Sequence, residues 1–138
     1  MKYYFSKKLN TNFEDAVEIT KAKLKDAGFG VLSEIDINEK FKEKLDVDFR
    51  KYKIMGACSP PNAYEAINAD KYIGTMLPCS VIVQEHSENN VEVTAIDAVA
   101  SMKAVENEKV QEIASKISKQ LEDVINSLSF YPHNNRTI

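Results

Sequence analysis

Apolar residues fall every third or fourth position in two long stretches of this chain, and every second position in several shorter ones. That mixture predicts helices packed on a sheet. Residues 2 to 9 alternate weakly and read as a first strand. Thr11 and Glu14 have the spacing of a capping box, and Phe13, Ala16, Val17, Leu24 and Ala27 follow at helical intervals until Gly28. From Phe29 to Ile37, Phe29, Val31, Ile35 and Ile37 share one parity and Gly30, Glu34 and Asp36 the other, as in a half-buried strand. Asn38 is placed to cap a short helix with Phe41 and Leu45 on one side.

Arg50 to Cys58 reads as a third strand, with Tyr52, Ile54 and Cys58 on one face. Ser59-Pro60-Pro61 opens a helix, since serine is a good N-cap and proline fits the first turn. Its expected buried side is Ala63, Ala66 and Ile67, and residues 70 to 78 form a loop. Cys79 to His86 and Val91 to Asp97 make a hairpin across a polar turn. Asn107 then caps a long helix whose stripe runs Val110, Ile113, Ala114, Ile117, Leu121, Val124, Ile125 and Leu128. Helices gathered mainly on one face of a single sheet would bury every one of these stripes. The expected fold class is α+β, one domain over residues 1–128 with a loosely held tail at 129–138.

Composition narrows the function classes. A 138-residue chain has room for one core. Its net charge is -3, with lysines interleaved among acids, which argues against a nucleic-acid binder, whose affinity rests on a basic face. The run Glu39-Lys40-Phe41-Lys42-Glu43-Lys44 is a solvated helical face. No apolar run is long enough to span a membrane, and the first residues lack a secretory pattern. A cytoplasmic location with no membrane partner is expected, where two cysteines would stay reduced.

The candidate chemistry centres on those cysteines. Cys58 would end a strand just ahead of a helix N-terminus, where dipole and free N–H groups favour a thiolate. Cys79 begins the next strand behind Pro78, so neighbouring strands would bring the two sulfurs together. Before any resemblance is considered, the favoured reading of both is as small buried hydrophobes in the sheet. A phosphate cradle is disfavoured, because Pro60 and Pro61 lack N–H groups and no glycine-rich loop precedes them. A metal set of Cys58, Cys79 and His86, with Met55 and Met76 as soft extras, lacks ligand spacing, and His86 has the opposite strand parity to Cys79. No metal site and no catalytic residue are assigned. Asp97, at the end of a core-facing parity, is either a cap or a general base. Tyr64 and Tyr72 flank the seam and either line a pocket or simply pack.

The segments Gly56-Ala57-Cys58-Ser59-Pro60-Pro61-Asn62-Ala63-Tyr64, Ile73-Gly74, Leu77-Pro78-Cys79 and Ala95-Ile96-Asp97 resemble the family called domain of unknown function 302. Gly28-Phe29-Gly30-Val31 and the segment from Ile35 to Leu45 are similar to it as well, so the resemblance spans nearly the whole chain. Members often carry asparagine after each cysteine, where this chain has Ser59 and Ser80. The resemblance implies a fold of the TATA-binding-protein class, a curved, mainly antiparallel sheet gripping a long C-terminal helix, and it implies a homodimer. It carries no activity and names no cofactor.

The favoured expectation is a non-enzymatic, homodimeric module that binds a small ligand or regulates a partner. Its expected site is Cys58, Ser59, Pro60, Tyr64, Leu77, Pro78, Cys79 and Asp97. The alternatives are a thiol redox or soft-metal protein using Cys58 and Cys79, and a protein whose cysteines are purely structural.

Overall fold

A computed structural model describes residues 2–129. The elements follow the order strand β1 (Tyr4–Leu9), helix α1 (Phe13–Asp26), β2 (Gly30–Asp36), α2 (Ile37–Leu45), β3 (Tyr52–Cys58), α3 (Pro60–Ala69), a 3-10 turn (Ile73–Met76), β4 (Cys79–Ser87), β5 (Asn90–Ile96), α4 (Ala98–Ser101) and α5 (Glu108–Ser127). The five strands form one open antiparallel sheet in the order β1-β5-β4-β3-β2. The α+β class with a long C-terminal helix is therefore observed. The expected tail falls almost entirely outside the described residues.

One face of the sheet carries the core. Met55 and Ala57 of β3, Val81 and Val83 of β4, and Val91, Val93 and Ala95 of β5 point to the same side and are buried. α5 lies across them with Val110, Ile113, Ala114, Ile117, Leu121, Val124 and Ile125 inward, every one on the predicted stripe. α1 packs beside it through Phe13, Ala16, Val17 and Leu24. At about 25 cal/mol per Å2 of apolar surface removed from water, such branched side chains are each worth roughly 1.5–3 kcal/mol when fully buried.

Several local expectations are corrected. The cap of α1 is Asn12, whose side chain accepts the Asp15 N–H at 2.7 Å; Thr11 is instead buried one residue earlier. The cap position of α2 is Asp36, and Asn38 uses its side-chain oxygen to accept the Tyr52 N–H at 3.1 Å. In β2 the register shifts between Val31 and Ser33, so Leu32 is the extra residue of a bulge. The bulge reverses the parity. Val31 now shares a face with Glu34 and Asp36, while Ile35 lies with Gly30 and Ser33 on the other. On α3 the buried residues are Asn62 and Ala66, and Ile67 is exposed.

The opposite face of the sheet has no helix across its centre. Tyr4 and Ser6, Tyr52 and Ile54, Ile82 and Gln84, and Glu92, Thr94 and Ile96 stand on it, all partly exposed. Tyr52, Ile54 and Cys58 do share one face as predicted, and it is this uncovered one.

Candidate functional site

The expected seam gathers in backbone but not in side chains. β3 and β4 are neighbours, and the register sets Ala57 opposite Cys79. Cys58 is one residue further on, and a single step along a strand turns the side chain to the other face. Cys79 points into the core at 4% exposure, while Cys58 is half-buried on the far side. The expected approach of the two sulfurs therefore does not occur, and both thiols are free. Burial pushes the Cys79 thiol up to about 11, which keeps it protonated at neutral pH and a poor nucleophile. Among the described residues no three His, Cys, Asp or Glu side chains gather as a metal site.

The rest of the seam is structural in its contacts. Ser59 stands at the N-cap of α3, and its Oγ accepts from Asn62 Nδ2 at 3.0 Å. The same buried amide donates to Gln120 Oε1 on α5 at 3.2 Å, tying the start of α3 to the long helix. Pro60 occupies the first helical turn at the surface, and Tyr64 is 73% exposed. Leu77 packs against the core; Pro78 follows it through a cis peptide and sits over Gly56. Asp97 is a cap: its Oδ1 accepts the Val99 N–H at 3.0 Å and the Ser118 hydroxyl at 2.8 Å. His86, on the opposite face from Cys79 as its parity implies, has Nε2 2.8 Å from Glu92 Oε1.

A different constellation lies on the uncovered face. A hollow of about 400 Å3 is lined by Tyr3, Tyr4, Tyr52, Ile82, Gln84, Glu92 and Thr94. β4 and β5 supply its floor, because Ile82 pairs with Thr94 and Gln84 with Glu92. β1 and β3 supply tyrosine walls, and Tyr3 and Tyr4 meet edge to face at 5.1 Å. Ser6 Oγ donates to Glu92 Oε2 at 2.6 Å and lies 2.7 Å from Thr94 Oγ1. The Ser6 hydroxyl and then His86 hold the Glu92 carboxyl below its ordinary range, so it is an anion at neutral pH. In this cluster the carboxylate sits between the hydroxyl and the imidazole. The imidazole bonds to the carboxylate and not to the serine, so the arrangement lacks the serine–histidine contact of a nucleophile relay.

A second concavity of about 370 Å3 lies by α1, lined by charged residues that include Glu14, Glu34, Asp36, Lys51 and Lys53. Its charges largely satisfy one another: Lys53 reaches Glu34 at 3.3 Å and Asp36 at 3.2 Å, Lys21 reaches Glu34 at 2.9 Å, and Lys51 reaches Glu14 at 3.0 Å.

The sequence matches the family model described as Domain of unknown function DUF302 over residues 5–128. The chain belongs to the DUF302 family. A crystal structure of an uncharacterized conserved DUF302 protein from Bacillus stearothermophilus superposes at TM-score 0.83, with 24% identity, covering 91% of this chain and 98% of that one. At that identity the likeness speaks for the shared fold alone. No curated protein matches the chain. In this DUF302 chain the hollow shares no residue with the cysteine- and proline-bearing segments around Cys58 and Cys79. The hollow's signal in the sequence is the second parity of the hairpin, Ile82 and Gln84 against Glu92 and Thr94, which no predicted helix was left to cover.

Proposed function

We propose that this DUF302 chain is a non-enzymatic small-ligand-binding module that works as a homodimer, with its ligand surface on the uncovered face of the sheet. The observation that carries the reading is the hollow. Tyrosine walls and an isoleucine in the floor surround a few convergent polar groups in a space of about 400 Å3, the usual make-up of a small-molecule site. The non-enzymatic part is supported by the protonated, core-facing Cys79 and by a histidine engaged with a carboxylate instead of a nucleophile.

The dimer reading is supported at the β2 edge. Helix α2 buries none of its residues, and Leu32, Ile35, Leu45, Val47 and Phe49 are all exposed around it. Around these apolar groups Lys40, Lys42 and Lys44 alternate with Glu39, Glu43, Asp46 and Asp48. Such a rim is complementary to itself across a twofold axis and suits no strongly charged partner. An edge-on second copy at β2 leaves the hollow, which spans β1, β5, β4 and β3, open to solvent.

Light scattering and native mass spectrometry test the dimer. A dimer is expected, with Leu45→Asp giving a folded monomer; a wild-type monomer at all concentrations overturns it. Amide NMR shifts on adding a fragment library test the site. Shifts should cluster at Tyr3, Tyr4, Tyr52, Gln84 and Thr94, and clusters elsewhere with these amides unmoved overturn it.

A further inference from the structure

The hydrogen-bond directions in the hollow say what kind of ligand it fits. Ser6 has one hydroxyl proton, and the Glu92 carboxylate at 2.6 Å takes it in preference to the Val93 carbonyl at 3.4 Å. The 2.7 Å contact between Ser6 and Thr94 must then be donated by Thr94. Both protons therefore run towards Glu92. What Thr94 and Glu92 still offer the hollow is lone pairs, since a carboxylate has about four acceptor sites and Ser6 and His86 use two. A ligand seated on this floor must bring donors.

The walls point the same way. Two of the three tyrosine rings already hold cations of the chain itself: Lys2 Nζ lies 5.8 Å from the Tyr4 ring centre, and the Arg50 guanidinium lies 5.7 Å from that of Tyr52. These ring faces attract positive charge through their quadrupole. Glu92 is the sole charged residue among those lining the hollow, and it is negative. Gln84 Oε1 is occupied by Arg50 Nε at 3.0 Å, which fixes the rim and draws no ligand donor.

We propose that the hollow takes an organic cation, an ammonium whose N–H groups bond to Glu92 and Thr94 while its carbon substituents pack on Tyr4, Tyr52 and Ile82. The inference rests on the reading of the hollow as the ligand site. Lys2 and Arg50 then act against the ligand by competing for the same rings, so their charge sets a threshold for binding.

Three probes with one carbon chain separate the possibilities: butylammonium, 1-butanol and butyrate, titrated into the full chain and followed by NMR shifts of the hollow's amides. Butylammonium should bind at least about tenfold tighter than either of the others, the worth of a hydrogen bond to a charged group. Glu92→Gln should remove that preference. Lys2→Gln should tighten butylammonium by about twofold, the scale of one screened surface charge. Butyrate preferred, with Lys2→Gln weakening it, makes this an anion site and overturns the inference while leaving the ligand reading standing. Butanol binding as well as butylammonium overturns it in favour of a merely apolar hollow. No shift at these amides with any probe or with the fragment library removes the ligand reading and the inference together.

Discussion

Gly56 offers a quantitative test of how the uncovered face is built. It lies mid-strand in β3, opposite Ser33 on one side and Ser80 on the other. A Cβ added there would stand 2.6 Å from Pro78 Cγ and 2.6 Å from Ser33 Oγ, where ordinary contact begins at 3.4 Å, so at least 0.8 Å must be made up. Ser33 can rotate its hydroxyl away. Pro78 cannot: its ring has no free rotor, and the next residue, Cys79, is already fixed in β4 and buried. Overpacking of this kind costs about 1–3 kcal/mol. Replacing a strand glycine by alanine returns roughly 0.5–1 kcal/mol of chain entropy, so Gly56→Ala should be destabilised by about 0.5–2 kcal/mol. Gly30→Ala is the comparison, because its nearest foreign atom is the Cys58 carbonyl oxygen at 4.0 Å. With no clash it should gain up to about 1 kcal/mol. Urea unfolding followed by circular dichroism measures both. If Gly56→Ala proves as stable as Gly30→Ala, Pro78 does not close over β3 and the reasoning fails.

Asp97→Ala should cost about 1–2 kcal/mol by stripping the α4 cap and the Ser118 bond, whereas Asp97→Asn should lose under about 0.5 kcal/mol; equal losses in urea melts would show that charge, not capping, matters. Thr11 Oγ1 is buried with no hydrogen-bond partner among the described residues, so Thr11→Val should raise stability by about 1 kcal/mol, and a loss would reveal a partner such as a bound water. Cys79 titrates near 9.0 when unfolded and near 11 when folded, so its contribution is complete below pH 9 and is lost as pH rises towards 11. The slope between is about 1.4 kcal/mol per pH unit, and Cys79→Ala should flatten it in unfolding titrations run across that window.

The long-period patterns were fully legible. The stripe from Val110 to Leu128 needed only helical spacing to be recognised, and every residue on it is buried. The hairpin of β4 and β5 was legible from two β-branched runs about a polar turn, with Asn89 taking the left-handed conformation. What failed was anything decided by a single residue. Leu32 bulges out of β2 and flips the parity of all that follows, and no alternation rule signals where a bulge will fall. The expected approach of the two cysteines failed for the same reason: adjacency of strands could be inferred, but the register placing Ala57, not Cys58, opposite Cys79 is a tertiary fact. The short helix α4 left no trace because four residues span barely one turn. The hollow is harder still, since it draws its side chains from β1, β3, β4 and β5, which only the sheet order brings together.

The pairing of β1 with β5 sets a timetable for synthesis. Tyr4 sits opposite Ile96, so the first strand made must wait for residues some ninety positions later before it has a partner. β3, β4 and β5 are consecutive along the sheet and can zip as they emerge, but the core side they present is only partly covered, by α1, until α5 has been made. Until then the apolar surface of Val81, Val83, Val91 and Val93 has α1 over it but lacks its main cover. A chain truncated between residues 97 and 108 should therefore be more prone to aggregate than the full chain, with its strands made and its long covering helix missing.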